Sequence, residues 1–290
     1  MRLRNLVVVV ATFGIALGFV GTGMSSAGAA SAPTYLALGD SLAASFQPDG
    51  DTHSGYAEQL FQLEQAGLPD LRLRKLACPG ETTRTMNVAK PRCPYARGTQ
   101  LAQAVHVLGH HDVAFVTVQI GSNDLFPCFR FRKAAFDQAC VDTRLPRISE
   151  RLTAIVQALR DAAGPDMPIV GGTYHDPLLF LWTIPGIDHG QVVANAGVWA
   201  AFNDMLEQTY AALGVPVADV AGAFSADDFN TVVHVRKFGD VPLNVARNCQ
   251  WTYACSERFG HDPHPNTIGY AAMTRAWEAP LAPALAAPSP

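Results

Sequence analysis

The chain is poor in charged residues: Asp, Glu, Lys and Arg make up only 16% of its 290 residues, and the formal net charge is −4. It has no sustained run of Lys and Arg, so we expect no nucleic-acid partner. It also has no CxxC pair and no histidine at zinc-finger spacing from a cysteine, which disfavours zinc binding, and we expect no metal and no cofactor. No internal repeat of fixed period is visible, which leaves no sign of a repeat architecture.

The N-terminus has the features of an export signal. Arg2 and Arg4 supply positive charge, an apolar stretch follows over residues 6–20, and small residues continue through Ala30. A retained membrane anchor is the alternative, but the apolar stretch is shorter than the roughly 20 residues that a span requires. We therefore predict a signal peptide over residues 1–30, cleavage after Ala30 or Ala32, a secreted mature protein and no stable membrane span.

Cysteine usage agrees with export, because the chain has an even set of six that fall into three local pairs. Connectivity cannot be deduced from sequence, so nearest-neighbour pairing is a hypothesis. The expected disulfides are Cys78–Cys93, Cys128–Cys140 and Cys249–Cys255.

Apolar residues make up 49% of the chain, enough for a large core, and strand-like and helix-like segments alternate along it. Alternation of this kind is typical of parallel strands joined by crossover helices. The predicted strands cover residues 35–38, 71–77, 113–120, 168–173 and 215–220, and the predicted helices cover residues 148–163, 192–213 and 267–278.

The expected architecture is one α/β domain over residues 31–280, with three α/β/α layers around a mainly parallel sheet. Residues 224–258 show little periodicity and are interpreted as a long loop region. Residues 281–290, rich in Ala and Pro, are interpreted as a disordered tail.

Ser41 stands in Gly39-Asp40-Ser41-Leu42, where a buried strand gives way to a turn. The carboxyl edge of a parallel sheet is where such folds bind ligands, so a nucleophile there is well placed. A serine after a strand can equally cap the next helix, and this tripeptide alone would favour that interpretation.

Three further motifs follow Gly39-Asp40-Ser41-Leu42 in order. They are Gly80 within Cys78-Pro79-Gly80-Glu81-Thr82-Thr83, Gly121-Ser122-Asn123-Asp124, and His264-Pro265-Asn266. Together the four blocks closely resemble the GDSL (SGNH) family of serine hydrolases over nearly the whole mature chain.

The resemblance implies a flavodoxin-like SGNH hydrolase fold and a secreted esterase or lipase that works through an acyl-enzyme. It implies that Ser41 is the nucleophile and His264 the base, with an oxyanion hole formed by Ser41, Gly80 and Asn123. Asn123 alone would be interpreted as a turn residue. The expected partner is a small-molecule or lipid ester, and we expect a monomer.

The chain departs from the family pattern at the third member of a catalytic triad: most family members place an aspartate three residues before the histidine, and this chain has His261 there. Asp262 lies two residues before His264, and can be a triad member or a cap for the last helix. In some relatives with this spacing a backbone carbonyl orients the base, here that of His261. In an extended segment the Asp262 and His264 side chains would not point at each other, which slightly favours a Ser–His dyad.

Apolar residues in the loops after Asn123 and Thr173 are candidates for the walls of the cleft. They are Phe126, Phe129, Leu178, Leu179, Phe180 and Trp182. The eight histidines other than His264, among them His175, are interpreted as surface or loop residues.

Two alternatives to an esterase remain open. A carbohydrate deacetylase would use the same serine machinery in a more polar groove. A catalytically silent secreted binding protein of the same fold is the other, since a fold does not determine function.

Overall fold

The computed structural model describes residues 32–88 and 92–286. The predicted signal peptide lies outside the described residues, as do residues 287–290 of the predicted tail. Within the described residues no helix is long and apolar enough to cross a membrane.

The centre of the fold is a five-stranded parallel sheet. Its strands are β1 (Thr34–Gly39), β2 (Arg72–Lys75), β3 (Val113–Gln119), β6 (Ile169–Gly172) and β7 (Val217–Ala218). Their order in the sheet is β2-β1-β3-β6-β7. β1 lies between β2 and β3, so the strand order reverses between β1 and β3. These two central strands consist mainly of apolar residues and are almost entirely buried, as expected for the middle of a parallel sheet.

Two antiparallel hairpins lie outside this sheet, β4 (Phe129–Arg130) with β5 (Ala135–Phe136) and β8 (Val232–Val235) with β9 (Gly239–Pro242). The helices are α1 (Tyr56–Glu64), α2 (Thr83–Asn87), α3 (Gln100–Leu108), α4 (Ser122–Leu125), α5 (Gln138–Ala163), α6 (His189–Ala212), α7 (Val220–Ala223), α8 (Leu243–Trp251) and α9 (Thr267–Ala286). Short 3₁₀ turns cover Phe126–Cys128, Phe131–Lys133, Leu179–Thr183 and Glu257–Phe259.

Two adjacent glycines in β6 let helices approach both faces of the sheet. A Cβ on Gly171 would lie 2.3 Å from the Tyr210 ring of α6, and one on Gly172 would lie 2.4 Å from the Trp277 ring of α9. Successive residues of a strand point to opposite faces. Helices therefore cover both sides of the sheet, which confirms the predicted three-layer α/β/α fold.

The predicted loop region over residues 224–258 was wrong, because it contains β8, β9 and α8. These elements are short and mostly half-exposed, so they leave little periodicity in the sequence. Helices α1 and α3, both nine residues long, were also missed. The last helix continues to Ala286 because Leu281 is fully buried and fixes this end to the core, so residues 281–286 are helical where we expected disorder.

The cysteines are paired as nearest neighbours, in the three disulfides Cys78–Cys93, Cys128–Cys140 and Cys249–Cys255. The first joins the segment after β2 to the segment before α3 and encloses Gly80. The second closes the base of the β4–β5 hairpin onto the start of α5. These two bridges therefore fix loops that connect the sheet to the helices beside it.

Replacing Cys78 and Cys93 with serine is expected to lower the free energy of unfolding by about 3 kcal/mol, because the bridge closes 15 residues of chain. The matched control, Cys249→Ser with Cys255→Ser, opens only six residues and is expected to cost about 2 kcal/mol. Urea unfolding of both double variants measures the difference. A larger loss for the six-residue loop would contradict the chain-entropy account.

Candidate active site

Ser41 lies directly after β1, at the point where the strand order reverses. Ligands of such sheets bind beyond the carboxyl ends of the strands at this reversal. Asp40, fully buried, fixes the turn: its Oδ1 accepts from the Leu42 amide at 3.0 Å, and its Oδ2 accepts from the Tyr174 hydroxyl at 2.6 Å and from Ser122 Oγ at 3.1 Å. Burial raises the pKa of Asp40 to about 6, and these hydrogen bonds oppose the rise. One carboxylate therefore joins the ends of β1, β3 and β6.

His264 reaches Ser41 across 223 positions of sequence. Its Nε2 lies 2.7 Å from Ser41 Oγ, so the hydroxyl and the ring are within hydrogen-bonding distance. The Phe46 ring packs against the imidazole, with centroids 4.6 Å apart. Backbone hydrogen bonds on both sides of the histidine fix its loop to the end of α8: Tyr253 donates to the His264 carbonyl at 3.0 Å, and Asn266 donates to Trp251 at 2.9 Å.

The Asp262 carboxylate contacts the other nitrogen of the same ring. Asp262 Oδ1 lies 2.7 Å from His264 Nδ1, and it also accepts from the His264 backbone amide at 2.9 Å. Burial alone would raise the pKa of Asp262, but the hydrogen bond and the charge of His264 outweigh it and lower the pKa below its ordinary value. The ring is therefore held between a hydroxyl and a carboxylate.

The preference for a dyad oriented by the His261 carbonyl depends on an extended segment, and that premise is wrong. His261 adopts a left-handed φ of +58°, and the bond from the His264 amide to Asp262 closes a tight turn. The turn brings the carboxylate and the ring together at a spacing of two residues. The His261 ring instead bonds to the Ala254 carbonyl, at 2.8 Å.

Gly80 and Asn123 border the same cavity as Ser41 and His264. Gly80 sits in a turn at φ +77°, a conformation that favours glycine. Asn123 Nδ2 donates one hydrogen bond to the Glu81 carbonyl, at 3.0 Å, which fixes the amide. An amide nitrogen carries two hydrogens, so the second can donate to another acceptor.

The cavity has a volume of about 260 Å³. Of the six wall residues expected from sequence, only Phe126 lines it. Phe129, Leu178 and Leu179 belong to the core, Phe180 stacks on His261 and Trp182 stacks on His189. The loop after Thr173 does contribute, but through Tyr174 and Pro177 rather than the residues expected. The other apolar wall residues lie beside the motif blocks or on more distant segments: Leu42, Phe46, Pro79, Trp199 and Pro263.

His175 lies in a loop, as expected, but it is buried rather than at the surface. It is 4% exposed and lines the cavity, and its Nε2 lies 3.0 Å from the Pro263 carbonyl, directly before His264. Because a carbonyl only accepts, Nε2 carries the proton. Burial lowers the pKa of His175 to about 4, so the ring is neutral near pH 7. It supports the loop that carries the candidate base.

Asp176, the next residue, is expected to make the free energy of unfolding depend on pH. It is 1% exposed, its Oδ1 accepts from the Leu178 amide at 2.8 Å, and among the described residues its Oδ2 has no hydrogen-bond partner. Burial raises the pKa of Asp176 to about 7. In the unfolded chain this carboxyl loses its proton near pH 4, whereas in the folded protein it keeps the proton up to about pH 7. The free energy of unfolding therefore falls as pH rises from about 4 to 7.

Asp176→Asn is expected to remove this part of the pH dependence, because an amide does not titrate. Urea unfolding at pH 4, 6 and 8 should show the variant gaining stability relative to the parent as pH rises. Asp240→Asn, at a residue 73% exposed, is the control and should follow the parent. Parallel curves for the parent and Asp176→Asn would contradict the assignment.

Within the described residues no group of three or more His, Cys, Asp or Glu side chains is arranged to hold a metal ion.

Comparison with known proteins identifies the family of the chain. The model of the GDSL-like Lipase/Acylhydrolase family matches residues 37–272. A search of curated proteins found no match.

Solved structures of similar fold include the lipase Lip_vut3 from a goat rumen metagenome, at 16% identity and a TM-score of 0.54, covering 85% of this chain and 96% of that one. A catalytic mutant of an acetylxylan esterase from Geobacillus stearothermophilus matches at 16% identity and a TM-score of 0.52, covering 87% and 95%. A GDSL-like lipase described as putative, from Parabacteroides merdae, matches at 12% identity and a TM-score of 0.51, covering 87% of this chain and 97% of that one. At these identities the likeness concerns the fold, whereas the family model spans most of the chain. The chain belongs to the GDSL-like lipase/acylhydrolase family.

Proposed function

We propose that this protein is a secreted serine carboxylesterase in which Ser41 is the nucleophile, His264 the general base and Asp262 the residue that orients the base. The observation that carries the proposal is the continuous hydrogen-bonded chain from Ser41 Oγ through the His264 ring to Asp262, with 2.7 Å at each step. Side chains in this arrangement activate a hydroxyl, because the base takes its proton while the carboxylate fixes the tautomer of the ring.

In the first half-reaction Ser41 Oγ bonds to the ester carbonyl carbon as its proton passes to His264 Nε2. The tetrahedral intermediate collapses when the C–O bond to the alcohol breaks and Nε2 returns that proton to the leaving alkoxide. Water then attacks the acyl-enzyme with His264 as base, the bond to Ser41 breaks, and the acid leaves while Oγ regains its proton. Asp262 stabilises the imidazolium formed in each step and stays ionised.

The oxyanion of each tetrahedral intermediate is assigned to the Ser41 and Gly80 amides and the free hydrogen of Asn123 Nδ2. Fixed donors of this kind stabilise developing charge without having to reorganise during the reaction. The bond from Asn123 to Glu81 and the turn at Gly80 support this role because they fix two of the donors before substrate binds.

The cavity supports esters of short or medium acyl chains as substrates. Its volume of about 260 Å³ lies just below the range of about 300–1,000 Å³ that is usual for drug-sized ligands. Its walls are mainly aromatic side chains, proline and leucine, which favour an acyl chain over a sugar.

Secretion and a monomeric state are part of the same proposal. Three disulfides within one domain support an oxidising compartment. Gel filtration of the protein from culture medium, together with N-terminal sequencing, tests both.

A panel of 4-nitrophenyl esters from acetate to dodecanoate, set against acetylated xylo-oligosaccharides, tests the substrate class. We expect the highest kcat/KM for acyl chains of intermediate or short length and little release of acetate from the sugars. Preferred deacetylation of the sugars would contradict the acyl-chain assignment and favour a carbohydrate deacetylase.

A further inference from the structure

A second cavity, lined by arginines, adjoins the candidate oxyanion hole. It has a volume of about 560 Å³ and shares Asn123 with the cavity at Ser41. Four of its lining residues are arginines: Arg84 of α2 and three from α5, Arg144, Arg147 and Arg151. The α5 residues are spaced by three and four positions, so they occupy one face of that helix.

The charge of this cavity is strongly positive. Asp124 is the one acidic residue among those that line it, so four positive groups face one negative group, a formal excess of three. This excess stands out on a chain whose net charge is −4. Guanidinium groups that converge in this way bind oxyanions, because their planar N–H forks match carboxylate and phosphate oxygens.

Asp124 offsets only one of the four positive charges, and its carboxylate is held in place by α2. Its two oxygens accept from the Thr83 amide at 2.7 Å and the Thr83 hydroxyl at 2.9 Å, which joins α2 to the turn after β3. Arg151 lies 3.6 Å from Asp124 Oδ1, and Arg144 donates to the Asp124 backbone carbonyl at 2.8 Å. These contacts fix two of the arginines at the cavity wall.

The other two arginines have free guanidinium groups. Within the described part of the chain, neither Arg84 nor Arg147 forms an ion pair. Both are exposed, so an incoming anion can reach them without displacing a partner. The pocket therefore combines two fixed and two available positive groups.

We propose that this arginine-lined cavity binds a phosphate group carried by the ester substrate. The inference rests on the proposed function, since it assigns the substrate class of that same site. Asn123 borders both cavities, so an ester whose carbonyl lies at the oxyanion hole can extend a second substituent toward the arginines. A substrate of this class is a short-chain acylglycerol phosphate, whose acyl chain enters the apolar cavity while its phosphate meets Arg84 and Arg147.

The test compares two soluble substrates with the same acyl chains, dihexanoylglycerol and dihexanoylphosphatidic acid, each below its micellar concentration. The parent protein is expected to prefer the phosphate ester in kcat/KM by about tenfold or more, and the preference should fall as salt is raised. In the double variant Arg84→Gln, Arg147→Gln most of this preference should be lost, mainly through KM for the phosphate ester.

The matched control is Arg236→Gln, which removes one positive charge at an exposed position in the turn of the β8–β9 hairpin. It should keep the preference of the parent. Thermal unfolding of each variant checks folding, and the single variants replace the double variant if that one unfolds.

The outcomes separate this inference from the proposed function. Equal kcat/KM for the two substrates in the parent, or a full preference in the double variant, overturns the phosphate site while Ser41-dependent hydrolysis stands. An equal gain for a dihexanoylglycerol hemisuccinate would overturn the assignment to phosphate in favour of any anion. Hydrolysis of dihexanoylglycerol that survives Ser41→Ala would instead overturn the proposed function.

Discussion

Ser41→Ala is expected to lower the turnover of 4-nitrophenyl acetate by at least about 10⁴-fold. In a serine protease, removing the nucleophile costs about 10⁶-fold, and binding together with the oxyanion hole leaves a small residual rate. The folded state should change little, because Ser41 is half-exposed at the cavity and its side chain contacts the His264 ring rather than the core.

The control is Ser149→Ala, which removes a hydroxyl that lies 2.8 Å from Thr209 between α5 and α6, away from the cavity. It should keep the parent's turnover. Initial rates and thermal unfolding midpoints of both variants, measured side by side, separate catalysis from stability. Turnover near that of the parent in folded Ser41→Ala would remove Ser41 from the mechanism.

Asp262→Asn is expected to lower turnover more than any other substitution except Ser41→Ala. The amide can donate to His264 Nδ1 and so favour the wrong tautomer, with the proton on Nε2 where the base must accept from Ser41. In a serine protease the equivalent substitution lowers turnover about 10⁴-fold. We expect a loss of several thousandfold at every pH between 6 and 9, with KM changed much less than kcat.

The chain offers a matched control for this substitution in a second Asp–His pair at the surface. Asp240 Oδ1 lies 2.8 Å from His234 Nδ1, close to the 2.7 Å between Asp262 Oδ1 and His264 Nδ1. The side chains of Asp240 and His234 are both more than 70% exposed. Asp240→Asn should keep full activity. A loss of less than about tenfold, or roughly 1.4 kcal/mol of barrier, in folded Asp262→Asn would restore the Ser–His dyad.

The parts of the fold that could be predicted are those whose residues face a single environment. β1 and β3 are buried on both faces and give continuous apolar runs, and the core-facing side of α5 repeats at helical spacing. Helix α1 was missed because buried Glu58 interrupts its apolar face, where it contacts Lys75 and Ser45. These partners lie in β2 and in the turn after β1, outside the helix, so no local pattern records them.

Some parts of the candidate site could also be predicted from sequence, and others could not. Ser41, Gly80, Asn123 and His264 stand at strand ends and turns with recognisable motifs, and they line one cavity. The orientation of Asp262 depends on the left-handed φ of His261, and that angle cannot be deduced from residue spacing. The arginine cavity was missed because Arg84 is separated by 60 positions from the face of α5 that it joins.

Labelling with a fluorophosphonate probe tests the central claim most directly, because only an activated serine reacts with it. The intact protein should gain one equivalent of the probe, and peptide mapping should place it on Ser41, with labelling abolished by Ser41→Ala and strongly slowed by Asp262→Asn. Folded parent protein that stays unlabelled, or that carries the probe on a different serine, would contradict the account.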